Sequence, residues 1–205
     1  MTKLRGLYAI SDELLTPDDR LLDMAQCALK GGATIFQLRH KSKADDELLQ
    51  AAFALKELCN FHNALFIIND RIELAKQCNA DGVHIGKDDR SLQAAREFLG
   101  AKALIGVSCY GDQTVAEQMQ KNGADYVAFG SFFASKTKPN AKVISCDLLT
   151  RARETITLPI CAIGGITIQT APDLIAQGAD MIAVIGDLWS AEEITAQAKR
   201  YGRLF

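Results

Sequence analysis

The chain has 205 residues, 48% of them hydrophobic and 23% charged, an ordinary globular composition that excludes disordered and fibrous classes. With 23 Lys and Arg against 25 Asp and Glu the net charge is −2, so no global field draws in nucleic acid or an anionic membrane, and any bound anion must be held locally. Cys27, Cys59, Cys78, Cys109, Cys146 and Cys161 stand singly with no C-x-x-C pair, which reads as small apolar residues of a reducing compartment, not disulfides or zinc ligands.

The first residues, Met1 to Leu7, carry no signal-peptide pattern, and no stretch approaches the ~20 apolar residues of a membrane span, so a cytoplasmic protein is expected. The first strand is the apolar run Leu7-Tyr8-Ala9-Ile10, and helical spacing of apolar residues follows from Leu21 to Lys30. Gly32-Ala33-Thr34-Ile35-Phe36 then reads as a helix ending in a left-handed residue with a buried strand starting at once. The device returns as Asn79-Ala80-Asp81-Gly82-Val83, Gly123-Ala124-Asp125-Tyr126-Val127 and Gly178-Ala179-Asp180-Met181-Ile182. Between the copies lie further strand-like runs, Leu65 to Ile68, Leu104 to Val107 and Pro159 to Ile163, and helix-like stretches at Glu47 to Leu58, Leu92 to Phe98 and Glu192 to Lys199.

Eight strand-plus-helix alternations without a linker predict an α/β protein: a closed (β/α)8 TIM barrel forming a single domain over residues 1–205, preferred to an open doubly wound sheet because nothing marks a reversal of strand order. The longest irregular segment, Ser131 to Lys142, follows the sixth strand and is expected to be functional.

Reacting groups of such barrels lie at the carboxyl ends of the strands. There the chain places Gln37-Leu38-Arg39-His40-Lys41, Asn69-Asp70, His84 to Asp89, Ser108-Cys109-Tyr110, Ser135-Lys136-Thr137-Lys138, Gly164-Gly165 and Ile185-Gly186. Arg39, Lys41 and Lys138 offer positive charge for phosphate oxygens, and Asp70 and Asp89 offer the hard oxygens that a magnesium ion bridging protein and diphosphate needs. The alternative is that these charges pair as rim salt bridges. Gly164-Gly165-Ile166-Thr167, expected to open a helix, and Ile185-Gly186 suggest a second, backbone-built phosphate site, with a plain tight turn as the alternative. His62 reads as solvated, His40 as a loop residue and His84 as a hydrogen-bonded barrel residue; no histidine pair has metal-ligand spacing, and no Ser or Cys has a persuasive base beside it.

Tyr8 to Asp12, Gln37 to Lys41, Ile68 to Arg71, Gly82 to Gly86, Asp125 to Gly130, Thr137-Lys138 and Ala162 to Ile166, in this order over nearly the whole chain, resemble the thiamine phosphate synthase family. The resemblance implies a transferase that joins 4-amino-2-methyl-5-hydroxymethylpyrimidine diphosphate to 4-methyl-5-hydroxyethylthiazole phosphate and releases diphosphate. It implies that Gln37, Leu38, Arg39, His40, Lys41, Asn69, Ser108 and Lys138 bind the pyrimidine diphosphate, with Arg39, Lys41, Ser108 and Lys138 catalytic. Asp70 and Asp89 would hold one Mg2+ per active site, while Ser135, Lys136, Thr137, Gly165, Ile185 and Gly186 would bind the thiazole phosphate. Its partners are then these small molecules, with no nucleic acid or membrane, and the sequence permits a homo-oligomer without specifying one. Gly186 stands where relatives often have Ser, and Tyr110 where they often have His. The rivals are a thiazole tautomerase-like isomerase and a non-catalytic barrel that binds phosphate ligands; a sugar-phosphate isomerase or aldolase would need an enolising base or a strand-interior Lys.

Overall fold

The computed structural model describes residues 4–87, 89–135 and 142–205. Eight parallel strands close in sequence order, β1 (Gly6–Ile10), β2 (Ile35–Leu38), β3 (Leu65–Asn69), β4 (Gly82–Ile85), β5 (Leu104–Tyr110), β6 (Tyr126–Phe129), β7 (Ile160–Ile163) and β8 (Met181–Val184). β8 returns to β1 with Gly6 beside Met181 and Ala9 beside Val184. The helices among the described residues are α1 (Leu21–Lys30), α2 (Asp45–Phe61), α3 (Ile72–Gln77), α4 (Leu92–Leu99), α5 (Gln113–Lys121), α6 (Asp147–Ala152), α7 (Ala171–Ala176), α8 (Gly186–Trp189) and α9 (Ile194–Gly202). This is the (β/α)8 architecture that the alternation predicts.

Two expectations are corrected. Gly164-Gly165 does not open a helix, because α7 begins only at Ala171 after an irregular turn. His62 is not solvated: it is the half-buried cap of α2, and its Nε2 is buried without a hydrogen-bond partner. Among the described residues no helix is long and apolar enough to cross a membrane.

The fourfold repeat has a physical basis in three steps. Gly32, Asn79, Gly123 and Gly178 all have positive φ, between 52° and 112°, which ends the preceding helix in a left-handed turn. The following alanine N–H then reaches back five residues, from Ala33 to Ala28, Ala80 to Ala75, Ala124 to Met119 and Ala179 to Leu174, at 2.9–3.1 Å. In three copies the next residue is an aspartate that clamps the strand before it. Asp125 Oδ2 accepts the Ile105 N–H at 2.7 Å while its own N–H donates to the Ile105 carbonyl at 2.9 Å, and Arg96 of α4 donates to the same carboxylate at 2.6 Å. Asp81 does the same with Phe66 and Lys56, and Asp180 with Ile160 and Arg153. Thr34 takes the place in the first copy, its hydroxyl donating to the Arg5 carbonyl at 2.6 Å.

Side chains alternate between two cores. Outward residues such as Phe36, Phe66, Val83, Ile105, Phe129 and Ile182 pack under the helices, and inward residues such as Ile35, Ile67, Leu104, Tyr126 and Met181 fill the barrel. All six cysteines are free, and burial pushes the Cys59 and Cys109 thiols up to about 12, as suits apolar filling.

Asp125→Ala strands the Ile105 N–H and removes the carboxylate from Arg96, which keeps only its carbonyl partners, so it is expected to cost about 2 kcal/mol. The check is the denaturant midpoint, with an unchanged m-value.

Candidate active site

A cavity of about 790 Å³ opens at the carboxyl ends of the strands. Tyr8 and His84 line it and both hydrogen-bond to Tyr126, whose ring packs inside the barrel: a Cβ on Gly106 would lie 1.9 Å from that ring, so only glycine in β5 leaves it room. Above it the inward residues Ala128, Cys161 and Ala183 are small, and the volume stays open.

One side of the mouth carries charge. Arg39 and Lys41 line it from the end of β2, and Asn69 from the end of β3. Ser11 fixes the Arg39 backbone, accepting its N–H at 2.8 Å and donating to its carbonyl at 3.2 Å. The Arg39 guanidinium faces Asp12 at 3.6 Å, and not Asp70 or Asp89. Glu13 accepts the backbone N–H groups of Lys41 and Ser42, which holds the loop after β2 against the loop after β1.

The Asp70 and Asp89 carboxyls lie close enough to interact. Asp70 sits in a left-handed turn with φ 64°, and Asp89 accepts the Gly86 N–H at 2.6 Å. Burial, the hydrogen bond with Asp89 and the negative charge of Asp89 push the Asp70 carboxyl up to about 6, against smaller opposing effects of Asn69 and Lys41. Two hard oxygen donors crowded so closely suit a divalent cation better than each other.

Deeper in the barrel five polar side chains form a line. Gln37 Nε2 donates to Tyr8 Oη at 2.7 Å, Tyr8 Oη meets Tyr126 Oη at 2.8 Å, and Tyr126 Oη meets His84 Nδ1 at 3.0 Å. His84 Nε2 meets Ser108 Oγ at 2.8 Å, and the His84 and Tyr126 rings stack at 5.6 Å. Ser108 and Tyr110, two apart in β5 with Cys109 turned to the outer core between them, both line the cavity.

The far side is backbone. Gly164 and Gly165 have φ 104° and 63°, and a Cβ on Gly164 would lie 1.9 Å from Ser131 Oγ. These glycines let the segment after β6 pack on the turn after β7, with Phe133 N–H donating to Gly164 O at 2.9 Å. Ser131, Ser135 and Gly164 line the cavity, as does Ile185, which immediately precedes α8.

Of the residues expected at a site, Gln37, Arg39, Lys41, Asn69, Ser108, Ser135 and Ile185 line this cavity. Asp70 and Asp89 do not line it but Asp70 neighbours the lining residues Asn69 and Lys41, while Gly165 lies in the turn after β7 and Gly186 is the first residue of α8. Leu38 and His40 do not face it: Leu38 is buried in the outer core, and His40 Nδ1 accepts the Lys43 N–H at 3.3 Å. Lys136, Thr137 and Lys138 lie outside the described residues. Sequence reasoning missed Tyr8, Ser11, Asp12, Glu13 and Tyr126. The polar run Ser11-Asp12-Glu13 just past β1 was the available signal for the loop residues. The tyrosines read as apolar strand residues, and nothing local reveals that their hydroxyls meet.

The raised Asp70 pKa lies above the ordinary carboxyl value of 3.8, so its contribution to stability is present below that value and is lost as pH rises through about 6. Asp70→Asn is therefore expected to stabilise the metal-free chain by about 1 kcal/mol above pH 7, allowing for partial solvent screening, and by almost nothing near pH 4. Thermal unfolding at both pH values in a chelator checks it.

Comparison with known proteins agrees with this geometry. The family described as thiamine monophosphate synthase matches residues 7–188. The thiamine-phosphate synthase of Acidithiobacillus ferrooxidans is 48% identical over 206 aligned residues, 98% of this chain and 94% of that protein. That of Thioalkalivibrio sulfidiphilus is 44% identical, covering 99% and 96%. The solved structure of thiamine phosphate pyrophosphorylase from Pyrococcus furiosus superposes with a TM-score of 0.90 at 32% identity, covering 99% of this chain and 96% of that one. The chain belongs to the thiamine monophosphate synthase family.

Proposed function

We propose that the chain joins the aminopyrimidine diphosphate to the thiazole phosphate, giving thiamine phosphate and diphosphate. Its relatives' activity supports this, and so does one feature of the cavity: cations and a crowded carboxylate pair occupy one edge, while a glycine turn and serines occupy the other. Two anionic substrates need two such places. Neither the tautomerase-like nor the non-catalytic reading is supported by these relatives.

The electron-rich ring stabilises a benzyl-type cation, so the chain's task is to stabilise charge on the departing diphosphate. Arg39 and Lys41 act there, joined by Lys138 on the family resemblance, and Ser108 donates a hydrogen bond. Asp70 and Asp89 fit a magnesium ion, since their present contact forces two acids together that a cation would separate and neutralise. Bound there, one Mg2+ per active site would supply Lewis-acid neutralisation of phosphate oxygens. The turn at Gly164-Gly165, Ser135 and Ile185-Gly186 hold the thiazole phosphate, which presents the ring nitrogen to the cation. Holding both rings in line is the other large contribution. The reaction asks for no covalent nucleophile.

The test is to mix both substrates with Mg2+ and follow thiamine phosphate and diphosphate; no product from folded, ligand-saturated protein overturns the reading. Asp89→Ala is expected to lower kcat/KM at least about hundredfold while thiazole phosphate affinity changes less than about twofold. Calorimetry checks the second figure, and equal loss of both contradicts separate sites.

A further inference from the structure

α8 has only four residues, too few for its own hydrogen bonds to fix its place, so the position of Ile185-Gly186 at its start must come from tertiary contacts. Leu188 and Trp189 supply apolar ones, both being buried, and Trp189 Nε1 also donates to the Ile10 carbonyl at the end of β1 at 2.6 Å. The other anchor is polar. Asp187 Oδ2 accepts hydrogen bonds from Gln197 Nε2 and Tyr201 Oη of α9, each at 2.6 Å, and from the Ile168 N–H of the turn after β7 at 3.3 Å. Arg200 Nη1 donates to Gln197 Oε1 at 2.9 Å, which turns the amide so that its Nε2 faces Asp187. Burial and the neighbouring Asp187 carboxylate push the Tyr201 hydroxyl above its ordinary pKa, so it stays protonated and donates. One oxygen thus gathers donors from α9 and from the turn after β7 and ties both to the first turn of α8. Among the described residues no cation forms an ion pair with Asp187 and no donor meets its other oxygen, so the contact uses an acceptor more than a charge.

We propose that Asp187 is a positioning residue for the thiazole phosphate, setting the start of α8 against the turn after β7, the two backbone segments that hold that phosphate. The inference rests on the proposed synthase reading. Asp187 directly follows Gly186, and Ile168 lies in the same turn as Gly164 and Gly165, so a single hydrogen bond joins the two halves of the site. A group held by the main chain of two separate segments is held only as well as those segments are held to each other, because hydrogen bonds weaken steeply as distance and angle depart from ideal. Asp187 need not touch the phosphate to act in this way. The three donors on its oxygen also offset part of the charge that it would otherwise set against the phosphate.

The experiment measures, by calorimetry, the affinity for thiazole phosphate and, with Mg2+, for inorganic diphosphate in the unmodified chain, Asp187→Ala, Asp187→Asn and Tyr201→Phe, together with KM for each substrate. Asp187→Ala is expected to raise the Kd and KM for thiazole phosphate about tenfold or more, while the Kd for diphosphate and the KM for the pyrimidine diphosphate change less than about twofold. Asp187→Asn keeps an acceptor oxygen for the three donors and is expected to stay within about twofold of the unmodified chain, whereas Tyr201→Phe removes one donor and is expected to raise the thiazole phosphate Kd about fivefold. A thiazole phosphate affinity unchanged in Asp187→Ala, an equal loss for both ligands, or an Asp187→Asn as weak as Asp187→Ala overturns the proposal. If Asp187→Ala does not fold, Tyr201→Phe decides, and an unchanged thiazole phosphate affinity in it overturns the proposal. Absence of turnover by the unmodified chain sinks the synthase reading instead, and the thiazole phosphate affinities then judge Asp187 alone; failure of the unmodified chain to bind thiazole phosphate at all overturns both.

Discussion

An eight-stranded barrel has an interior only wide enough for side chains, so whatever fills it decides where a ligand can begin. In this chain the ring of Tyr126, packed against Gly106, is part of that filling. Below it Ile35, Ile67, Leu104 and Met181 are packed apolar residues; above it Ala128, Cys161 and Ala183 leave the cavity. Because the ring ends in a hydroxyl that water cannot reach, its burial demands partners, and Tyr8 and His84 supply them. The barrel filling and the polar line that reaches the cavity thus share one ring, for which Gly106 makes room.

The two ends of the barrel divide the work. At the amino ends of β4, β6 and β8, Asp81, Asp125 and Asp180 join the preceding strand and a basic side chain from the helix before that strand or its end. At the carboxyl ends two acids are instead crowded together. Asp70 and Asp89 are crowded so that burial and the neighbouring carboxyl push Asp70 up to about 6, an arrangement that costs stability once both are ionised. The same residue type stabilises at one end and is destabilising at the other, and only the second arrangement can answer to a ligand.

The near-neutral chain handles anionic substrates without a strong overall field. Arg39 is half answered by Asp12, and the Lys41 backbone is tied by Glu13, so the cations are placed by the loop after β1. That loop belongs to the site as much as the loops carrying the cations do, although it carries no positive charge in its Ser11-Asp12-Glu13 run.

The sequence alone determined the architecture, since the left-handed residue and the alanine recur at each quarter, followed by a strand-opening aspartate in three of them and Thr34 in the first, and these local devices need no knowledge of distant residues. It also located most of the candidate site, because polar residues immediately past an apolar run can only lie at the carboxyl rim of such a barrel. Which of them face inward was beyond it: Leu38 and His40 sit between Gln37 and Lys41 yet turn away, as strand alternation and the local fold of the loop require. The pairing of Arg39 with Asp12, the contact of Asp70 with Asp89 and the line from Gln37 to Ser108 were decided by tertiary structure alone. They join residues of different strands and loops, up to 118 positions apart for Tyr8 and Tyr126, and no local pattern encodes a meeting that only the closure of the sheet creates.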